Sequence, residues 1–205
     1  MGMRLGLLSL ADANITRVVK SPSLAWRLIR PEGETPTGIT PKKPAKSATK
    51  GKRAAGTAKP KAKAKTSPGL ELVANEGVRC DLDKSWHGIH YLLTGSAWEG
   101  SPPYDFLVEG GRQVGKIDLE HGPVRAFRTD ETRAIYDAIS IMSAYELRKR
   151  FNARDMAAKE IYPDIWTGPV IEEDSLRYLM DNLDRLRTFL RQTIDAQLGI
   201  LVFLV

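Results

Sequence analysis

The chain has a single cysteine, no apolar run longer than the six residues Ile200 to Val205, and no glycine-rich phosphate loop. Each lack removes a class of protein. One thiol, Cys80, excludes an intramolecular disulfide and fits a reducing cytoplasm. Six apolar residues are far too few to span a bilayer. There is no Gly-x-Ser-x-Gly elbow and no dinucleotide fingerprint, and Gly110-Gly111 reads as a turn. No HExxH-type pair is present, and nothing orients a histidine against Cys80 or lowers its pKa to make a nucleophile. The amino-terminal run Leu5 to Leu10, between Arg4 and Ala11-Asp12-Ala13, imitates a signal peptide, but its apolar part is too short for one. Gly2 does not open a myristoylation signal, because the required Ser or Thr at position six is Gly6.

What the sequence does have is charge in one place. The net charge is +6 over 205 residues, with 31 basic and 25 acidic side chains. Ten of the basic residues, from Lys42 to Lys65, lie between Pro36 and Pro68, a stretch without a single acid. Removing those 10 from the 31 leaves 21 against 25 acids, so the rest of the chain carries −4. From Glu32 to Gly69 the composition is Pro, Ala, Lys, Thr and Gly with almost nothing to bury, which predicts a disordered insert over 32–69 between segments 1–31 and 70–205. Such an arm suits weak, salt-sensitive nucleic-acid binding through residues 42–65. The bland alternative is a solvated spacer, and the lack of any aromatic residue there removes the usual single-strand signature.

With 42% of the whole chain apolar, the part outside the insert can support an ordinary core. Met3 to Leu10 predicts a strand, Asp12 to Lys20 a helix, and Ser21-Pro22 the start of a second helix that Pro31 stops. Asp81 or Asp83 caps a helix that runs to Gly95, with Leu82, Trp86, Ile89, His90 and Leu93 on its buried face. Strands follow at Tyr104 to Val108, Gln113 to Asp118 and Val124 to Phe127. Thr129 or Asp130 caps the next helix, to Met142. Ser143 and Glu146 form a capping box, and Asn152 to Glu160 is a short helix. Leu176, Leu179, Met180, Leu183, Leu186, Leu190 and Ile194 mark a helix over 175–195. Ile200 to Val205, apolar at both parities, predicts a central strand. The sum is a single α+β domain: a mixed sheet flanked by about six helices.

Candidate chemistry gathers on the Trp86 helix. His87 and His90, three residues apart, present a metal or acid-base pair that His121, Asp83 or Glu160 would complete, since imidazole titrates near neutrality and ligates metals. No complete ligand set is visible, so no metal and no cofactor is assigned. The alternative is a core histidine bonded to a carbonyl. Trp86, His87, His90, Tyr162 and Trp166 are the candidate ligand-binding residues, lining one cleft with Asp83 and Glu160 where the helix meets the aromatic loop 161–166. With no full catalytic set, the leading function is a binding or protein-interaction domain for an unidentified protein or small molecule; the alternative is a small hydrolase using His90 as base with Asp83 or Glu160.

Met1-Gly2-Met3, the stretch Asp81-Leu82-Asp83-Lys84-x-Trp86-x-x-x-His90-x-x-Leu93-Thr94-Gly95, Glu146-Leu147-Arg148 and Glu160-Ile161-Tyr162-Pro163 resemble the YfbM-like family of small bacterial proteins, a domain of unknown function. The resemblance covers residues 1–30 and 75–205, and the Lys-rich insert departs from the compact members. It implies a single α+β domain, bacterial and cytoplasmic, with no activity or catalytic residue to carry over.

If the insert binds nucleic acid, deleting residues 36–68 abolishes that binding in a filter or anisotropy titration. Wild-type affinity must fall with added salt, and salt-independent affinity rules the idea out.

Overall fold

Leu5, Leu7, Leu8 and Leu10 cannot share one face of a strand, because successive side chains alternate. A strand apolar at both parities needs cover on both sides, and the same holds for Ile200 to Phe203. The structure, a computed structural model, describes residues 2–29, 70–118 and 122–205. The segment expected to be a disordered insert, 32–69, and His121 lie outside the described residues. The elements are β1 (Leu5–Leu10), α1 (Asp12–Lys20), α2 (Ser23–Ile29), β2 (Arg79–Asp81), α3 (Trp86–Thr94), β3 (Arg112–Asp118), β4 (Pro123–Phe127), α4 (Thr129–Ser140), α5 (Ala144–Arg150), α6 (Ala153–Ala158), α7 (Pro169–Asp195) and β5 (Gly199–Leu204).

The strands form one sheet in the order β2-β1-β5-β4-β3. β1 and β5 pair at its centre, from Leu5 opposite Leu204 to Leu10 opposite Gly199. Leu8, Leu10, Leu201 and Phe203 pack with Ile15, Val18, Ala25 and Ile29 of α1 and α2. Leu5, Leu7, Ile200 and Val202 face the other way, into a larger core shared with α3 to α7. The result is three layers, and the central place expected for the last strand holds. The α+β class holds as well, with all four strand pairings antiparallel where a mixed sheet was expected.

Several local expectations change. Tyr104 to Val108 is a run of turns, and its neighbours Phe106 and Leu107 are both buried, which a strand's alternation does not permit against a single core. Carbonyls that a strand would have given to a ladder go to Arg125, whose guanidinium donates to Phe106 and Leu107, each at 2.8 Å, and to Glu109. The short edge strand β2 was not anticipated. Neither Asp81 nor Asp83 caps α3: its N-cap is Ser85, without a side-chain cap, while Asp81 Oδ1 accepts the Asp83 N–H at 2.7 Å in the turn before it. α4 begins at Thr129 under two distant or reciprocal carboxylates, with Asp12 accepting from the Thr129 N–H at 3.0 Å and Glu131 from the Arg128 N–H at 2.7 Å. The Ser143/Glu146 capping box is present as expected. α7 starts earlier than its leucine pattern, at Pro169, where a missing N–H costs nothing.

Helix carboxyl ends are closed by arginines from elsewhere in the chain. Arg79 donates to the Leu28 and Ile29 carbonyls of α2, Arg150 to Leu92 and Leu93 of α3, and Arg187 to Ile139 of α4 and to Met142 beyond it. Each guanidinium meets orphan carbonyls and the negative end of a helix dipole together.

α3 is buried from Trp86 to Leu93 on every side, so it is a core helix with no wet face. Its closest approach is at Gly88, where a Cβ would sit 2.6 Å from Leu179 and 2.9 Å from a Trp166 ring carbon. Gly88→Val should therefore lower the urea midpoint, with a loss of about 2 kcal/mol from overpacking against a ring that cannot swing away. Gly88→Ala should lose less, because alanine's helix propensity returns up to about 1 kcal/mol.

Candidate functional site

Full burial of α3 forces its polar side chains to find partners inside the protein. His87 does so with backbone alone: Nε2 lies 2.6 Å from the Ala97 carbonyl, and Nδ1 accepts the Tyr162 N–H at 3.0 Å. A carbonyl on one nitrogen and an N–H on the other admit only the neutral Nε2–H tautomer. Burial pushes the His87 pKa down, against the pull of the Ala97 carbonyl. The ring is stacked on Trp86, with centroids 4.8 Å apart, and Trp98 lies over it at 4.4 Å. Tyr162 joins the group at 6.2 Å from Trp86.

His90, one turn further, is 0% exposed, and neither ring nitrogen has a hydrogen-bond partner. The Glu99 backbone is near enough to favour its charged form, without bonding geometry. Burial, then the neighbouring His87 and the Arg125 guanidinium, outweigh that pull and bring the pKa down to about 4. His90 is a neutral ring at physiological pH.

The other candidates are placed apart from it. Asp83 accepts from the Tyr178 hydroxyl at 2.9 Å and faces Arg4 at 3.3 Å. Burial, and then that carboxylate, pushes the Tyr178 pKa up to about 12. Glu160 follows α6, exposed and in a left-handed backbone conformation (φ 53°). Trp166 is buried against Gly88, its indole N–H held by the Ile161 carbonyl. The structure thus gathers Trp86, His87 and Tyr162, packs Trp166 against Gly88, and makes no hydrogen bond from His90 to Asp83 or Glu160. Among the described residues no group of three or more His, Cys, Asp or Glu could hold a metal ion. Cys80 is buried, and its thiol is pushed up to about 12, mainly by burial.

Two residues that matter here were not singled out from the sequence. Trp98, 54% exposed in the loop after the Gly95 C-cap, covers His87 and forms one wall of a cleft of about 200 Å³. Arg125, the only charge in Val124-Arg125-Ala126-Phe127, lines the same cleft from β4. An aromatic residue in a Ser, Gly and Pro-rich loop, and a lone charge in an apolar strand, were the available signals.

With that geometry in place, the class is defined: the chain belongs to the family described as Domain of unknown function (DUF1877), which it matches over residues 1–203. It is similar to Protein YfbM of Escherichia coli (strain K12), 29% identical over 122 residues that cover 56% of this chain and 71% of that one. Its fold matches the crystal structure of a protein of unknown function, YfbM from Escherichia coli, with a TM-score of 0.64 at 17% identity over 98% of this chain and 99% of that chain. The YfbM-like resemblance is borne out, and its motifs meet in space. The Met3 carbonyl accepts the Trp86 indole N–H at 3.4 Å. A Cβ on Gly2 would collide with the Tyr162 hydroxyl, and Tyr162 in turn donates its N–H to His87. Among the described residues no helix is long and apolar enough to cross a membrane.

A depressed histidine pKa has a defined sign. Above about pH 6.5 the ring is neutral folded and unfolded, and the full stability is present. As pH falls from there toward about 4, the unfolded chain takes up a proton that folded His90 refuses, and stability is lost. At pH 5 the loss should be on the order of 1–2 kcal/mol. Thermal unfolding at pH 7.5 and 5.0 tests this: His90→Phe should show a smaller drop than wild type, with His87 supplying part of what remains.

Proposed function

We propose that this chain is a non-enzymatic binding domain of the bacterial cytoplasm. The observation that carries this reading is the state of the histidines. A general base must reach a substrate proton and hold a usable pKa; His90 is sealed and kept neutral, and His87 spends both ring nitrogens on backbone groups. The hydrolase alternative needs His90 beside Asp83 or Glu160, and Asp83 is engaged by Tyr178 and Arg4 instead. A buried thiol with a raised pKa supports a reducing compartment, where a free cysteine persists.

A panel of activated esters and phosphate esters, assayed with wild type and His90→Phe, tests the reading. Neither protein should give turnover above the blank. Hydrolysis by wild type that disappears in a folded His90→Phe protein sinks it.

A further inference from the structure

Trp98, 54% exposed, stands at the mouth of a cleft that has the dimensions of one ring. The cleft opens where β4 begins and β5 ends, and its volume of about 200 Å³ exceeds slightly the ~150 Å³ that suffices for benzene in an apolar cavity. Trp86 and Trp98 stand 6.3 Å apart at 51°, a tilted pair of aromatic surfaces. Val108, Val202 and Phe203 add apolar lining, and among the described residues the one charged side chain lining the cleft is Arg125.

Arg125 is held in place by its bonds to three backbone carbonyls. These are neutral acceptors, and none of the salt bridges among the described residues involves it. Asp105 and Glu109 act on it only at longer range, and burial brings its pKa down to about 10. A buried cation fixed by dipoles favours an arriving anion, because the desolvation cost is already met and the geometry is preset.

We propose that the cleft lined by Trp98 and Arg125 is a binding site for a small single-ring aromatic carboxylate, the ring lying against the Trp98 indole and the carboxylate directed to the guanidinium. This names the ligand class within the binding-domain reading and rests on it. The exposed Trp98 indole supplies stacking, and the guanidinium supplies the sign of the charge. A cationic ligand of the same shape meets like charge.

The test is a titration of the ¹⁵N-labelled full chain with benzoate, following the four tryptophan indole N–H signals, with the Trp98 signal assigned by its loss in Trp98→Ala. Benzoate should shift that signal saturably, with Kd on the order of 1 mM or tighter. Trp98→Ala, shown to be folded by a cooperative thermal transition and by the dispersion of its remaining indole signals, should weaken binding at least about tenfold, read on those indoles. Benzamidine, with the same ring and a positive charge, should not saturate the site. Non-saturable shifts with benzoate, equal affinity for benzamidine, or unchanged affinity in Trp98→Ala would each overturn the proposal. Those results remove this cleft alone; the binding-domain reading falls only to His90-dependent turnover.

Discussion

The ladder between β1 and β5 is the contact on which the remaining architecture rests. Both strands are apolar at both parities, so neither can lie at a wet surface, and pairing them makes a sheet centre that needs cover on both faces. α1 and α2 cover one face and α3 to α7 the other. The outer strands then carry the compromises. β2 is three residues long, and Arg185 donates to the Asp81 carbonyl at 3.3 Å, so that edge is short and partly closed.

On the larger core, His87 does for the loops what the ladder does for the strands. Its two backbone bonds tie α3 to the loop at Ala97 and to the loop at Tyr162, and its ring packs on both Trp86 and Trp98. The amino-terminal Gly2 and Met3 close over the same group. The motifs that mark the family are therefore largely neighbours in one packed knot. A buried imidazole with a donor on one side and an acceptor on the other bridges an N–H and a carbonyl that cannot reach each other directly. This is an architectural use of a residue type that attracts catalytic hypotheses.

The sheet centre, the helices and the Ser143/Glu146 box were legible because each rests on a local pattern: alternation broken at both parities, leucines at helical spacing, a cap and its partner three residues on. What the sequence hid was set by contacts between distant residues. Phe106 and Leu107 looked like a strand because nothing local says that their carbonyls belong to Arg125. Asp83 looked like a cap because the Tyr178 hydroxyl that claims it lies on another helix. His90 was legible as part of the buried face, and the burial of His87 and Tyr91 beside it was not, since a nine-residue helix with two histidines and a tyrosine gives no sign that water is excluded on every side. Trp98 and Arg125 were unremarkable singly, and became a cleft only when β4 was laid beside the loop after α3.

The arginine clamps at the ends of α2, α3 and α4 divide the basic residues into two populations. In the folded layers Arg79, Arg150 and Arg187 are guanidiniums bonded to carbonyls that serve as mortar. Between positions 42 and 65 positive charge is carried by nine lysines and Arg53. A lysine-directed modification such as acetylation would erase most of the charge of that stretch and leave the clamps untouched, because a guanidinium does not react and stays protonated. Net charge and fold stability are thereby separable quantities in this chain: chemistry or evolution can adjust the one while the other stays still.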